Sequence, residues 1–123
     1  MIEGQINARR EALIPVRIRG ASGAEAEVQA VLDTGFDDHL MLPAEMIEGL
    51  GLIRQGAMPL MMADGSIVRA SVFEAVVMWN GERRSISVQA TKNDTLVGMR
   101  LLQGSLVTLE VVDGGAVTIE PLE

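Results

Sequence analysis

The residues best suited to acid–base chemistry are Asp33, Thr34 and Gly35, which directly follow the apolar residues Val31 and Leu32. The apolar residues favour a buried extended segment, and Gly35 allows backbone angles and close approaches that a residue with a Cβ resists. Asp33 is therefore expected at the end of a strand and at the edge of a core. There, burial or a neighbouring charge can shift the pKa of a carboxyl group to suit acid–base work. The alternative is an ordinary Asx turn that closes a strand.

The composition excludes several other kinds of catalytic site. The chain has no cysteine, which excludes disulfides, thiol nucleophiles and cysteine metal sites. The chain has one histidine, His39, so a zinc site with two or three histidines cannot form within one chain. No nucleophile-elbow sequence accompanies His39, which argues against a Ser/His/Asp triad. We interpret His39 as a loop or surface residue. We therefore expect no metal and no cofactor.

Length and charge limit the organisation and the partners. The 123 residues suffice for one domain with a single core, and the 48% hydrophobic and 22% charged fractions are typical of folded globular proteins. A net charge of −7, with no basic cluster longer than Arg9-Arg10 or Arg83-Arg84, argues against nucleic acid as a partner. The N-terminal residues lack the pattern of a signal peptide, and no run approaches the length of a membrane span. We expect a cytoplasmic protein without a membrane partner.

Alternating side chains predict the strands that must position Asp33. Residues 12–19 and 24–32 alternate apolar and polar side chains on either side of the turn residues 20–23, which is typical of two paired strands. The second strand ends at Asp33. The residues before 12 form a polar lead for which we predict no element.

Glycine-containing turns organise the rest of the chain. Residues 39–42 predict a short strand, and Pro43 begins a helix that Gly49 and Gly51 limit to about two turns. Residues 95–97 predict a buried strand that passes through Gly98 into one helical turn. Three further hairpins are predicted at Asp64-Gly65 between 58–62 and 67–73, at Asn80-Gly81 between 73–79 and 85–90, and at Asp113-Gly114-Gly115 between 106–112 and 116–120. Repeated hairpins with brief helical pieces predict an all-β barrel or sandwich.

Three motifs follow one another along the chain: the triplet Asp33-Thr34-Gly35, the hairpin tip Asp64-Gly65, and the segment Leu96-Val97-Gly98 ahead of Leu101-Leu102. In this order they resemble the retropepsin-like aspartic proteases of the retroviral type. Because Phe36 follows the triplet, the chain looks most like the bacterial members. The resemblance extends over about residues 12–120. It implies a single domain, 1–123, folded as a closed β-barrel of the acid-protease type with one or two short helices.

The resemblance also implies roles for the triplet. Asp33 would be the catalytic acid and base, Thr34 would hold the two active-site loops together across a dimer, and Gly35 would make room for the substrate backbone. For Thr34 and Gly35 the alternative is ordinary turn chemistry.

Substrate-binding positions follow from the same resemblance. Phe36 would line a subsite, and Asp37 matches an acid that binds substrate and an arginine in the retroviral members. In those members the arginine directly follows the glycine of the hydrophobic-hydrophobic-glycine segment, whereas here Met99 lies between Gly98 and Arg100. Asp38 could equally be solvated. The hairpin tip with Ala63, Asp64 and Gly65 would form a flap over the substrate, and the nearby Met58, Met61 and Met62 suit either the flap or the filling of a core or dimer interface.

The chemistry of peptide hydrolysis explains why one triplet per chain implies a homodimer. One group must take a proton from water while another donates a proton to the carbonyl oxygen or leaving amine. Two carboxylates about 3 Å apart share a proton and supply both functions. We therefore predict an aspartic endopeptidase that cleaves polypeptides with one Asp33 from each subunit. The alternative is a non-catalytic homodimeric binding or assembly module with the same fold.

Overall fold

The computed structural model describes residues 1–122 of the chain. In this range it contains ten strands and two short helices. They are β1 (Ile2–Ile6), β2 (Ala12–Arg19), β3 (Glu25–Leu32), β4 (Leu40–Pro43), α1 (Ala44–Gly49), β5 (Ile53–Met61), β6 (Ile67–Trp79), β7 (Glu82–Thr91), β8 (Leu96–Val97), α2 (Met99–Leu102), β9 (Ser105–Leu109) and β10 (Ala116–Pro121).

The predicted pairing that leads to Asp33 is confirmed. β2 and β3 are antiparallel, with registers from Leu13 opposite Val31 to Arg19 opposite Glu25. Alternate residues of β2 are buried, as the period of a strand requires. This hairpin therefore has one face in the core and delivers the end of β3 to its edge.

All ten strands belong to one sheet. Their order is β5-β6-β7-β4-β8-β3-β2-β1-β10-β9. An additional pairing between β6 and β2 joins the ends of the run β2-β3-β8-β4-β7-β6 into a ring. The expectation of a mainly β chain with one or two short helices is confirmed, whereas closure of this ring as a barrel stays a prediction.

Two segments differ from the sequence-based expectation. The residues before Ala12 are not a structureless lead, because they include β1, which pairs with β10 and β2. A Cβ at Gly4 would overlap the carbonyl oxygen of Leu13, so this glycine permits the close approach of β1 to β2. The runs 67–73 and 73–79 form one continuous strand, β6, which pairs with β5 along one part and with β7 along another.

The core is built mainly from apolar residues of the ring strands, of β10 and of α2. Its largest fully buried apolar side chains are Trp79, Ile14, Ile18, Leu40, Leu42, Leu101, Ile119, Val16, Val77, Val88 and Val97. Trp79 packs there, and its indole N–H lies 3.4 Å from the hydroxyl oxygen of Ser105. Among the described residues, no helix is long and apolar enough to cross a membrane.

Candidate active site

Asp33 lies at the end of β3, where a neighbouring strand holds it. Val31 and Leu32 pair in parallel with Leu96 and Val97 of β8. The backbone N–H of Asp33 continues this ladder by donating to the carbonyl oxygen of Val97 at 2.9 Å. Residues far apart in the sequence therefore fix the position of the Asp33 backbone.

The turn after Asp33 orients its carboxylate. Oδ1 of Asp33 accepts a hydrogen bond from the N–H of Gly35 at 2.8 Å, and the backbone carbonyl of Asp33 accepts one from Phe36 at 3.2 Å. Within residues 1–122, Oδ2 of Asp33 has no hydrogen-bond partner. Asp33 is half-buried, whereas Thr34 and Gly35 are exposed. The Asx-type turn and the candidate site are thus the same structure: one carboxylate oxygen is held and the other is available.

The start of α2 crosses the loop that follows the triplet. The N–H of Gly98 donates to His39 at 3.0 Å, and the N–H of Met99 donates to Phe36 at 2.8 Å. A Cβ at Gly98 would overlap the carbonyl oxygen of Asp38 and would lie 2.6 Å from Cδ2 of Phe36. Only glycine permits this crossing, which holds the loop against α2.

Phe36 is buried, with 9% of its surface exposed, and its ring packs next to Gly98. It therefore helps to fix the loop in the single chain. A role in a substrate subsite stays a prediction for this residue.

The buried acid of the loop is Asp38, which is only 8% exposed, while Asp37 is exposed. Oδ1 of Asp38 accepts hydrogen bonds from the Ser87 hydroxyl and the His39 backbone N–H, both at 2.8 Å. Oδ2 accepts one from the Gln89 side-chain amide at 3.3 Å. Asp38 is therefore not solvated but joins the loop to β7.

Arg100 also contacts Asp38, although its partner in the resembled proteases would match Asp37. Nη1 of Arg100 lies 3.8 Å from Oδ1 of Asp38. The arginine side chain is 62% exposed, so this ion pair contributes little by itself. Asp37 lies with Met99, Arg100 and Gln103 around a shallow surface pocket.

His39 lies in the loop ahead of β4, as predicted, but it is half-buried. Its Nδ1 is 3.1 Å from the Ser87 hydroxyl and 3.2 Å from Oδ1 of Asp38. Burial lowers the pKa of His39 although the Asp38 carboxylate acts in the opposite direction. The imidazole is therefore neutral at neutral pH, and it packs beside the Asp38 carboxylate without a full positive charge.

Strand β7 contributes two side chains to this site that the sequence alone did not indicate. Ser87 and Gln89 are separated by one residue, so their side chains lie on the same face of the strand. In the sequence, Ser87 and Gln89 alternate with the apolar residues Ile86, Val88 and Ala90, which marks them as a polar pair on one face of a strand. Only the fold shows that Asp38 is their partner. Among residues 1–122, no group of three or more histidine, aspartate or glutamate side chains is arranged to bind a metal ion.

We expect Asp38→Ala to destabilise the protein by about 2–4 kcal/mol, because it removes the carboxylate that accepts hydrogen bonds from the Ser87 hydroxyl and the buried Gln89 amide. The free energy of unfolding in urea measures this effect. The adjacent Asp37→Ala is the matched control and should remain within about 0.5 kcal/mol of the wild type, since Asp37 is exposed. Equal losses in the two variants would contradict the structural role of Asp38.

The predicted flap is a hairpin formed by β5 and β6. At its tip the N–H of Met62 donates to Ser66 at 2.8 Å, and Gly65 has a φ of +87°. Hydrogen bonds from the hydroxyl and the N–H of Ser66 lower the pKa of Asp64. Ala63, Asp64 and Gly65 are exposed, and their contact with a substrate stays a prediction.

The methionines of this hairpin have different surroundings. Met61 and Met62 are 70% and 45% exposed, so they do not fill the core of the single chain. Met58 is half-buried, and its sulfur lies 3.1 Å from Nε2 of Gln89. Because Gln89 also contacts Asp38, strand β5 of the hairpin is linked to the loop that carries Asp33.

An apolar cavity of about 560 Å³ adjoins Asp33 and Thr34. It runs from these two residues past α2 to the C-terminal hairpin. Its other lining residues are Ile6, Arg10, Ala12, Leu32, Met99, Leu102, Gln103, Gly104, Ser105, Val107, Leu109 and Val111. Asp33 therefore borders a mainly apolar surface.

Comparison with known proteins identifies the fold. No family model and no curated protein matches the sequence. The structure is similar to the crystal structure of a retropepsin-like aspartic protease from Rickettsia conorii, with a TM-score of 0.59 over 98% of this chain and 92% of that chain, at 18% sequence identity. The ring of strands, the two short helices and the loop with Asp33 thus form a retropepsin-like fold.

Proposed function

We propose that the chain is an aspartic endopeptidase that acts as a homodimer. The observation that carries this proposal is the geometry of Asp33 in a retropepsin-like fold: Oδ1 is held by the N–H of Gly35 and Oδ2 has no partner within residues 1–122. A carboxylate fixed in this way can take part in proton transfer without first breaking a contact to its own chain.

Two Asp33 carboxylates, one from each subunit, would share one proton because two like charges at short distance do not both ionise readily. The ionised carboxylate takes a proton from a water molecule, whose oxygen attacks the carbonyl carbon of the peptide. The protonated carboxyl donates its proton to the carbonyl oxygen. The tetrahedral intermediate then collapses: the protonated carboxyl donates its proton to the leaving amine, a carboxylate takes a proton from a hydroxyl group of the intermediate, and the C–N bond breaks, so that the pair again holds one shared proton.

The substrate of this reaction would be an extended polypeptide between the flap and the Asp33 loop. β5 is an edge strand of the sheet and leaves backbone groups available for an added strand. We assign contacts with the peptide to Ala63, Asp64 and Gly65 of the tip and to Phe36 and Asp37 of the loop. Thr34 and Gly35 complete the floor of the site.

The activity of the wild type should depend on its own concentration. Below the dissociation constant of the dimer, a tenfold dilution should lower the cleavage rate per chain by about tenfold, since only the dimer has both carboxylates. Mass spectrometry of a peptide library between mildly acidic and neutral pH finds a cleaved sequence, and the rate for that peptide is then measured across dilutions.

Sedimentation at the same concentrations is the control for this dilution series. Activity that stays constant per chain in the monomeric range would contradict the shared site. A dimer that cleaves no peptide at any concentration would instead favour the non-catalytic binding or assembly module.

A further inference from the structure

Gln89 lies where the β5–β6 hairpin leaves the sheet. The last pair between β6 and β7 is Val72 opposite Gln89, and β7 then continues to Thr91 along β4 alone. Beyond this pair, residues 57–71 of β5, β6 and their connecting turn pair only with each other. We call residues 57–71 the projecting hairpin, since its backbone is bonded to no other strand among residues 1–122.

One side-chain contact joins the projecting hairpin to the sheet. None of its residues is buried. Within residues 1–122, each of its hydrogen bonds stays inside the β5–β6 hairpin except one, from Nε2 of Gln89 to the sulfur of Met58 at 3.1 Å. Met58 pairs with Ala70, two pairs beyond Val72. Its side chain therefore reaches back from the projecting hairpin to β7.

The same amide nitrogen also contacts the Asp33 loop. Nε2 of Gln89 lies 3.3 Å from Oδ2 of Asp38, and these two residues are the buried polar residues of the described part of the chain. A side-chain amide nitrogen carries two hydrogens, so it can donate to both acceptors at once. A single side chain thus connects the projecting hairpin with the loop that it faces.

These two contacts fix the orientation of the Gln89 amide. A carboxylate and a thioether sulfur only accept hydrogen bonds, so the nitrogen must face them. The oxygen, Oε1, is then buried without a hydrogen-bond partner among residues 1–122. Buried acceptors without a donor are unfavourable and rare in native proteins. An unfavourable polar group retained in a core is typical of a residue with a functional role.

We infer that Gln89 is a positioning residue of the proposed active site, whose amide holds the projecting hairpin at a fixed height above the Asp33 loop. The inference rests on the proposed function, in which the peptide lies between these two segments. Gln89 acts through Met58 and Asp38 and does not touch the peptide. When its contact with Met58 is lost, the tip of the hairpin moves away from the loop more often.

Spin labels can measure the position of the hairpin without any measurement of activity. The chain has no cysteine, so labels attach only at cysteines that are introduced. Asp64→Cys marks the tip, and Glu45→Cys marks an exposed position on α1. The labelled chain is mixed with an excess of unlabelled chain, so that a dimer carries labels on one subunit. Pulsed double electron–electron resonance then gives the distribution of distances between the tip and α1.

Met58→Leu is the most selective change, because it removes the sulfur, nearly keeps the side-chain volume and leaves the contact between Gln89 and Asp38 in place. It should raise the ratio of long to short label distances by about threefold. Gln89→Leu removes both contacts and should raise this ratio at least as much. Met61→Leu is the matched control and should give the wild-type distribution, because Met61 is 70% exposed and its position in β5 places it on the opposite face from Met58.

Kinetics of the unlabelled variants show whether the held hairpin serves the peptide. For a peptide that the wild type cleaves, Met58→Leu should raise KM by about threefold and change kcat less, because the contacts of Asp33 stay intact. A purely structural role would give a different result. Partial unfolding lowers the amount of active enzyme, and with it the apparent kcat, but leaves KM unchanged.

The outcomes separate this inference from the proposed function. Distance distributions of Met58→Leu and Gln89→Leu equal to that of the wild type would overturn the inference, even in a protein that cleaves peptides. Longer distances in both variants of a protein that cleaves no peptide would reject the proposed function and support the connection between Gln89 and the hairpin.

Discussion

The Asp33→Asn variant should lose peptide cleavage by about 10³-fold or more while it keeps its fold and its dimer. Asparagine has nearly the same shape, and its Oδ1 can still accept the N–H of Gly35 that holds the turn. Its amide nitrogen, however, cannot take a proton from water. The chemical step is therefore removed without removing the turn.

Rates of peptide cleavage measure this loss, with circular dichroism and sedimentation to show that structure and assembly are unchanged. Asp94→Asn is a matched control, because Asp94 is an exposed acid outside the proposed site. Cleavage by Asp33→Asn at the wild-type rate would reject the assignment of an aspartic protease.

Mixing the two proteins extends this test to the shared site. If subunits exchange freely, a 1:1 mixture of wild type and Asp33→Asn contains about one quarter of dimers with two aspartates. The activity of the mixture should follow this fraction. An activity of one half of that of the same total concentration of wild type would indicate that each chain works alone.

Gly98→Ala should strongly destabilise the single chain, with a loss of more than about 3 kcal/mol. The added methyl group would overlap the carbonyl oxygen of Asp38 and would lie 2.7 Å from that of Phe36. Both carbonyls accept hydrogen bonds from α2, Asp38 from Arg100 at 3.3 Å and Phe36 from Met99 at 2.8 Å. The loop therefore cannot move away without breaking these bonds.

The midpoint and slope of urea unfolding measure this change. Gly49→Ala is the control: nothing lies within 4 Å of a Cβ at Gly49, and its φ is not positive. Alanine at the end of α1 should leave stability unchanged or raise it by up to about 1 kcal/mol. If Gly98→Ala unfolds at the same urea concentration as the control, the crossing is looser than the distances indicate.

Local patterns were sufficient to predict the position of Asp33. The alternating residues of β2 and β3 identify a hairpin, and the apolar run before the triplet shows where its second strand ends. The same local signals fail at β1, because Gly4 has no side chain to mark which face is buried. What identifies β1 is its pairing with β10 at the other end of the chain.

The choice between Asp37 and Asp38 shows a different limit. The two residues are adjacent and chemically identical, so no property of the local sequence distinguishes them. The distinction comes from β7, where the Ser87 hydroxyl and the Gln89 amide donate hydrogen bonds to Asp38 and not to Asp37. Long-range contacts of this kind depend on which strands become neighbours, and local periodicity does not contain that information.

The bond between the N–H of Asp33 and the carbonyl oxygen of Val97 also determines when the site can exist during synthesis. A nascent chain that has not yet released β8 and α2 contains the aspartate but lacks the segments that hold its loop. Pairings between segments so far apart in the sequence form slowly, because the chain loses loop-closure entropy before the contact stabilises it. In a growing chain the loop with Asp33 is therefore not held in place until β8 and α2, which lie near the end of the domain, have left the ribosome.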